Sequence, residues 1–281
     1  MARQKLGQHF LSDLSWREKI ARAIRVSPHS MESGASKNDH CWIEIGAGHG
    51  EMTEHLVLSG VPVYAIEIDP PLIHQLQNLT KRYPNLTVVP GDVLKADLRS
   101  IAAGRRIRIY GNLPYYITSP ILHHLFTFAK EIDEISVLIQ LEVALRLAAI
   151  PGQKDYGYLS VLTQFYSRPE FVFELPQDAF EPPPEVESAL VTLRLPSRGI
   201  SIGPDQAEPF FEFVKNCFAQ KRKTLANNLR NLARPDRVRE ILLELKLRED
   251  ARAEQLTVNK FAALFQAISS MPPATGPDSR T

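Results

Sequence analysis

The chain has 281 residues, 44% of them hydrophobic and 23% charged, with a net charge of +1. This is the composition of one large globular domain, or of a large and a small one, and it excludes a disordered or collagen-like chain. A charge so close to zero advertises no global field toward nucleic acid, so any basic face has to be local. Cys41 and Cys217 both sit in apolar patterns. They are expected to be reduced, buried thiols of a cytoplasmic protein. The start "MARQKLGQHFLSD" has no long apolar run and does not read as a signal peptide. No stretch approaches the roughly 20 apolar residues of a membrane helix, so no membrane partner is expected.

In chain order, "LSWREKIARAIRV" has a helical period, and the polar, Ser/Gly-rich segment over 27–40 reads as a surface loop. "CWIEIGAGHG" is a strand running into glycines, followed by a short helix in "EMTEHLVLSG". "VPVYAIEID" is a second strand, and "PPLIHQLQNLTKRY" a helix opened by prolines. "LTVVPGDVL" and "RIRIYGN" are the third and fourth strands. A helix in "SPILHHLFTF" and a strand-then-helix in "EISVLIQLEVALRLAAI" follow, and "SVLTQFYS", "PEFVFELP" and "SALVTLRLP" read as later strands. The alternation predicts an α/β fold, a mainly parallel sheet with helices on both faces, over residues 1–196. A linker is expected over 197–208. Beyond it the periods are helical only, with stripes such as Phe210, Phe213, Val214, Cys217 and Phe218, and a Thr257 N-cap. A small all-helical domain is expected over 209–270, and a disordered tail over 271–281.

Gly46, Gly48 and Gly50 stand between a strand and a helix, where backbone can approach a ligand closely. A dinucleotide fingerprint would have a third glycine where Glu51 stands. Glu67 ends the second strand, where a carboxylate can accept both hydroxyls of a ribose. Asp92 follows the third, where it can accept an adenine amino proton. Glu44 adds a further negative charge beside the loop. Carboxylates fit poorly around a pyrophosphate and better around S-adenosylmethionine, which carries a sulfonium and an ammonium but no phosphate.

The fourth strand ends in Asn112-Leu113-Pro114-Tyr115. Nothing there titrates near neutral pH. The tetrapeptide suits methylation of an exocyclic amine, whose lone pair is delocalised into its ring. The Asn112 amide oxygen and the Leu113 carbonyl can each accept one N–H and draw the nitrogen toward tetrahedral geometry. Pro114 fixes the backbone, and Tyr115 offers a stacking face worth roughly 1–3 kcal/mol. No metal is expected. His123-His124 lacks further ligands at suitable spacing, and Ser119 and Ser160 lack a nucleophile elbow.

"GQHFL", "EIGAGHGEMT", "AIEIDP", "GDVL", "GNLPYYI", "QLEVALRL", "FEPPPEVESALV" and "FAQKRKTLANNL" occur in this order. In this the chain resembles the ribosomal RNA adenine N6-dimethyltransferases, most closely their bacterial small-subunit branch. The resemblance covers about residues 3–232. It implies a Rossmann-like methyltransferase domain with a C-terminal helical domain, S-adenosylmethionine as cofactor, and dimethylation of two adjacent adenosines in a hairpin near the 3′ end of small-subunit RNA. It implies cofactor contacts at His9, Leu11, Gly46, Glu67, Asp92 and Asn112. Phe180 is implied as an aromatic facing the target base from the side opposite Tyr115. Given the dimethylation that the resemblance implies, Leu113, longer and more flexible than the proline of related tetrapeptides, is expected to leave room for the second methyl. The chain departs from the family at Ala47, often proline, at Leu141, often basic, and in the length of the 27–40 loop.

Lys215, Lys221, Arg222, Lys223, Arg230, Arg234, Arg237 and Arg239 crowd one segment, and Arg3, Lys5, Arg17, Lys19, Arg22 and Arg25 the N-terminus. Two basic clusters predict a phosphate-binding face, with Lys221, Arg222 and Lys223 as its centre. A monomer acting on ribosomal RNA within an assembling particle is expected. Three rivals remain: an Erm-type large-subunit methylase or DNA methylase, a protein-glutamine methyltransferase, and an RNA-binding assembly factor with little catalysis. Leu113 argues against the second, and intact Glu67, Asp92 and Asn112 against the third.

Overall fold

A computed structural model describes residues 9–26, 39–197, 200 and 202–270, without the side chains of Tyr115 and Pro204. Most of the expected 27–40 loop, the tail at 271–281, Arg3 and Lys5 lie outside the described residues. The elements run β1 (Phe10–Leu11), α1 (Leu14–Ala23), β2 (His40–Ile45), α2 (Thr53–Leu56), β3 (Val63–Glu67), α3 (Pro70–Leu79), β4 (Leu86–Pro90) and α4 (Leu98–Ala102). They continue with β5 (Arg106–Asn112), α5 (Thr118–Phe126), β6 (Ile132–Gln140), α6 (Leu141–Ala148), α7 (Tyr158–Tyr166), β7 (Arg168–Leu175), β8 (Phe180–Glu181) and β9 (Ser188–Arg194). Four helices close the chain: α8 (Ala207–Phe218), α9 (Leu225–Asn228), α10 (Pro235–Glu244) and α11 (Val258–Ser269).

Contacts divide the chain into two compact units, 1–145 with 166–196, and 146–165 with 197–281. This differs from a linear cut at residue 196, because residues 146–165 cluster with the C-terminal helices. The segment "SVLTQFYS", expected as a strand, is most of helix α7. Its hydroxyls find carbonyls within α7 and on α6: Thr163 Oγ1 donates toward the Leu159 carbonyl at 2.9 Å, one turn back, and Ser160 Oγ to the Arg146 carbonyl at 2.5 Å. With those polar groups satisfied, the apolar residues can bury at helical spacing.

In the first unit seven strands form one sheet in the order β4-β3-β2-β5-β6-β9-β7. Strands β4 to β6 are parallel, and β9 pairs antiparallel with both β6 and β7. Central strands are covered on both faces, which is why "CWIEI" of β2 and "ISVLI" of β6 read as nearly continuous apolar runs. Ile43, Ile107, Ile109, Ile135 and Val137 are all fully buried, each contributing about 1.5–3 kcal/mol of burial. The chain passes from β2 outward to β4, then returns to the other side of β2 as β5. Such a reversal leaves a crevice at the carboxyl ends of the strands, where open α/β sheets bind ligands. Separately, β1 pairs with β8, Phe10 opposite Glu181 and Leu11 opposite Phe180.

In the second unit the stripes expected over 209–270 are buried, Phe210, Val214, Cys217, Leu242, Phe261 and Leu264 among them. Thr257 caps α11, its hydroxyl accepting the Lys260 N–H at 3.3 Å. Among the described residues no helix is long and apolar enough to cross a membrane.

Candidate active site

One cleft collects the ends of β2, β3, β4 and β5. His9, Gly46, Glu67, Asp92, Asn112, Leu113 and Pro114, all expected at the site, line it together. The loop after β2 is built by backbone that ordinary residues adopt poorly. Gly46 and Gly48 have φ of +67° and +59°. A Cβ at Gly48 would stand 3.1 Å from the Phe10 ring, so glycine is what lets the N-terminal segment close over the loop.

Glu67 is 3% exposed and already held. Its Oε2 accepts the Gly48 N–H at 3.0 Å, and its Oε1 accepts those of Ile68 and Asp69 at 2.8 and 2.9 Å. A carboxylate has about four acceptor positions, so one remains open, on Oε2. The expectation that Glu67 takes both ribose hydroxyls is thereby narrowed: one finds an open position, and a second competes with a backbone N–H. Asp92 caps the turn that follows it, Oδ1 accepting the Leu94 N–H at 3.0 Å, which leaves Oδ2 open. Ile68, Val93 and Leu94 supply apolar surface between the two carboxylates.

Glu44 corrects the expectation of a further charge. It is 2% exposed, and Thr53 Oγ1 donates to its Oε2 at 2.5 Å. Burial pushes its carboxyl up to about 8, against the Thr53 hydrogen bond that lowers it and with help from Glu51 and Glu67. At neutral pH Glu44 is mainly protonated.

At the end of β5 the Asn112 amide donates from Nδ2 to the His9 carbonyl at 2.8 Å. A carbonyl can only accept, so this contact fixes which way the amide faces. The His9 ring is held too, Nδ1 donating to the Pro182 carbonyl at 2.7 Å. Among the described residues neither Asn112 Oδ1 nor the Leu113 carbonyl has a hydrogen-bond donor. The two acceptors the sequence singled out are therefore the two left open. The Leu113 side chain does not behave as expected. It is 1% exposed and folds back over Gly111, where a Cβ would meet its Cδ2 at 2.7 Å. Packed in this way, it does not act as a flexible group making room for a methyl. Its N–H also donates to the Leu138 carbonyl at 3.0 Å, a bond that proline would remove.

Two expected contacts fall elsewhere. The Leu11 side chain is 3% exposed and packs in the core, because successive residues of a strand face opposite ways; Phe10 faces the cleft. Phe180, opposite Leu11 in the ladder, is 2% exposed in the same core and does not line the cleft. The Tyr115 side chain lies outside the description, whereas Tyr116, which sequence reasoning passed over, lines the cleft and is 66% exposed. Its signal was present: a second tyrosine beside the first at a strand end.

Of the N-terminal basic residues, several serve the fold. Arg17 donates to the Leu11 and Ser12 carbonyls at 2.6 and 3.0 Å. Lys19 sits over the Trp16 and Phe173 rings at 4.1 and 4.4 Å, and Arg22 pairs with Glu18 at 3.6 Å. Lys221, Arg222 and Lys223 instead occupy an exposed turn between α8 and α9. None of the three pairs with a carboxylate among the described residues, and Lys221 Nζ donates to the Lys154 carbonyl at 2.6 Å.

Among the described residues the cleft is lined by no lysine or arginine. Acceptors with apolar flanks suit a cationic nucleoside and not a pyrophosphate. Fold and site together define a Rossmann-like, S-adenosylmethionine-dependent methyltransferase. A family model described as "Ribosomal RNA adenine dimethylase" matches residues 1–270, and the chain belongs to that family. The "Ribosomal RNA small subunit methyltransferase A" of Caldanaerobacter subterraneus subsp. tengcongensis is 38% identical over 95% of this chain and 97% of its own length. The protein of that name from Acidobacterium capsulatum is 39% identical over 94% of this chain and 90% of its own. The crystal structure of 23S rRNA methyltransferase ErmE superposes with a TM-score of 0.69 at 26% identity, over 93% of this chain and 100% of that one. A dimethyladenosine transferase from Plasmodium falciparum shares the fold, with a TM-score of 0.76 at 22% identity over 93% and 98% of the two chains.

Proposed function

We infer that the chain dimethylates N6 of two adjacent adenosines in a hairpin near the 3′ end of small-subunit ribosomal RNA. The observation that carries this reading is the pair of open acceptors, Asn112 Oδ1 and the Leu113 carbonyl, at the end of a carboxylate-lined cleft. The names of the two relatives support the small subunit as the target.

S-adenosylmethionine would be held by Glu67 and Asp92, through the positions left open on Oε2 and Oδ2, with Ile68, Val93 and Leu94 for its apolar parts. When bound, S-adenosylmethionine supplies an electrophilic methyl group on a sulfonium. The chain supplies orientation. The His9 carbonyl holds the Asn112 amide, so Oδ1 can take one N–H of the adenine amine while the Leu113 carbonyl takes the other. This turns the nitrogen lone pair out of conjugation with the ring. Two preset dipoles also stabilise the positive charge that grows on that nitrogen. The methyl–sulfur bond breaks as the N–C bond forms, its electron pair staying on sulfur. The nitrogen, now cationic and acidic, then gives its proton to water, so no residue has to serve as a general base. For the second methyl one N–H remains and one acceptor suffices. Exposed Tyr116 stands at the cleft for a base to rest on. Lys221, Arg222 and Lys223 hold phosphates, and a single copy meets its RNA in an assembling cytoplasmic particle.

Under-methylated small subunits, incubated with the chain and methyl-labelled S-adenosylmethionine and then digested, test this reading. Labelled N6,N6-dimethyladenosine is expected. A monomethyl end product, or labelling of large-subunit RNA instead, would contradict it.

A further inference from the structure

The eight cations between residues 215 and 239 are not equivalent. Lys215 pairs with Glu212, Arg237 with Glu240 at 2.7 Å and Arg239 with Asp236 at 2.6 Å. Lys223 and Arg230 have no carboxylate partner among the described residues, and both line one cleft. The remaining wall is largely amide side chains, Asn216, Gln220, Asn228 and Asn231 among them, and it includes no carboxylate. What sets Lys223 and Arg230 apart from the other unpaired cations is that they share one cleft and face no carboxylate in it.

Two of those amides are fixed in direction. Asn216 donates from Nδ2 to the Glu212 carbonyl at 2.9 Å. Asn228 donates to the Cys217 and Gln220 carbonyls at 2.7 and 3.2 Å. With their NH₂ groups committed, each keeps its Oδ1 as an acceptor without a donor among the described residues. Fixed acceptors beside free cations call for a ligand that carries both N–H donors and negative charge. A phosphodiester group alone brings no donor and meets two repelling oxygens. A nucleotide with an exocyclic amino group brings both.

We propose that this cleft captures one unpaired nucleotide of the ribosomal RNA, distinct from the adenosines that are methylated. Its phosphates lie on Lys223 and Arg230, and the amino group of its cytosine, adenine or guanine base on the amide oxygens of Asn216 and Asn228. The proposal rests on the reading of this chain as an RNA-modifying enzyme, and it makes the C-terminal unit a reader of a base as well as of backbone charge.

The test is the affinity of the full chain for short oligocytidylate and oligouridylate, with inorganic phosphate as competitor. Cytidine is chosen because adenosine also fits the catalytic cleft. The wild-type chain should prefer oligocytidylate by roughly fivefold, the size of one net hydrogen bond. Asn216→Ala should erase that preference. Lys223→Ala and Arg230→Ala should weaken both oligonucleotides alike and each lower the salt slope by about one. Equal affinities with phosphate displacing both, a preference that survives Asn216→Ala, or no binding of either oligonucleotide would each overturn the proposal. Methyl transfer to under-methylated small subunits is followed in parallel. Transfer without any cytidine preference overturns the cleft alone, whereas a cytidine preference without transfer leaves the cleft standing and overturns the catalytic reading.

Discussion

In the cleft at the ends of β2 to β5, nearly every polar side chain is already tied to backbone. Glu67 accepts three N–H groups, Asp92 accepts one, and the Asn112 amide rests on the His9 carbonyl. In the turn between α8 and α9 the opposite holds: Arg222 and Lys223 carry charge with no carboxylate beside them among the described residues. The difference follows from the two tasks. Methyl transfer needs a few atoms set before the substrate arrives, because preset groups need no reorganisation at the moment of reaction. Holding RNA needs charge that the partner itself will neutralise, and flexible side chains suffice for that.

Mutations on the two sides should differ in kind. The largest effect is expected at Asn112. Asn112→Ala removes one oriented acceptor and should slow transfer by about a hundredfold or more, the range seen when a preset donor or acceptor is lost. The residue is only half-buried at a strand end, so melting temperature should change little; a matched loss of rate and of stability would refute its role as an orienting group.

Next is the buried carboxyl of Glu44. Its folded-state value, about 8, lies above the ordinary carboxyl value of 4.5. The folded chain therefore holds a proton that the unfolded chain releases, and stability should fall as pH rises between these two values, by at most about 1.4 kcal/mol per pH unit. Below that window the contribution is fully present. Glu44→Gln, neutral at every pH, should flatten this part of the curve in denaturant titrations at pH 5 and pH 9. An unchanged slope would show that Glu44 stays ionised.

Glu67→Ala should weaken S-adenosylmethionine binding by about 1–3 kcal/mol. The same change strands the Gly48, Ile68 and Asp69 N–H groups, so a lower melting temperature should accompany it. Calorimetry finding unaltered affinity would remove Glu67 from the cofactor site. The smallest effect per residue belongs to the basic turn. Replacing Lys221, Arg222 and Lys223 together by alanine should lower the salt slope of particle binding by about one per residue while cofactor affinity holds. A constant slope would mean that the turn is only solvated surface.

Much of this was legible in the residues. Strand ends carrying Gly46, Glu67, Asp92 and Asn112 could be read because each lies where a run of β-formers stops, and parallel sheets gather such ends on one side. What escaped depends on contacts between distant segments. The facing of a two-residue strand cannot be read from its composition, so Leu11 was expected at the cofactor although Phe10 faces the cleft. Phe180 was expected at the target base, but its ladder partner draws it into the core. The β-branched and aromatic run in "SVLTQFYS" suggested a strand until packing favoured a helix. Arg17, Lys19 and Arg22 looked free because sequence does not display the carbonyls, rings and carboxylate that claim them.

The central claim is that the His9 carbonyl holds a neutral amide so that an open oxygen faces the substrate amine. Asn112→Asp tests it most directly, since aspartate keeps the shape and the acceptor but cannot donate to His9. Single-turnover methyl transfer to under-methylated small subunits should fall at least about tenfold in this variant, the order of one hydrogen bond to a positioned group, with cofactor binding measured on the same preparation. A wild-type rate from Asn112→Asp would contradict the account.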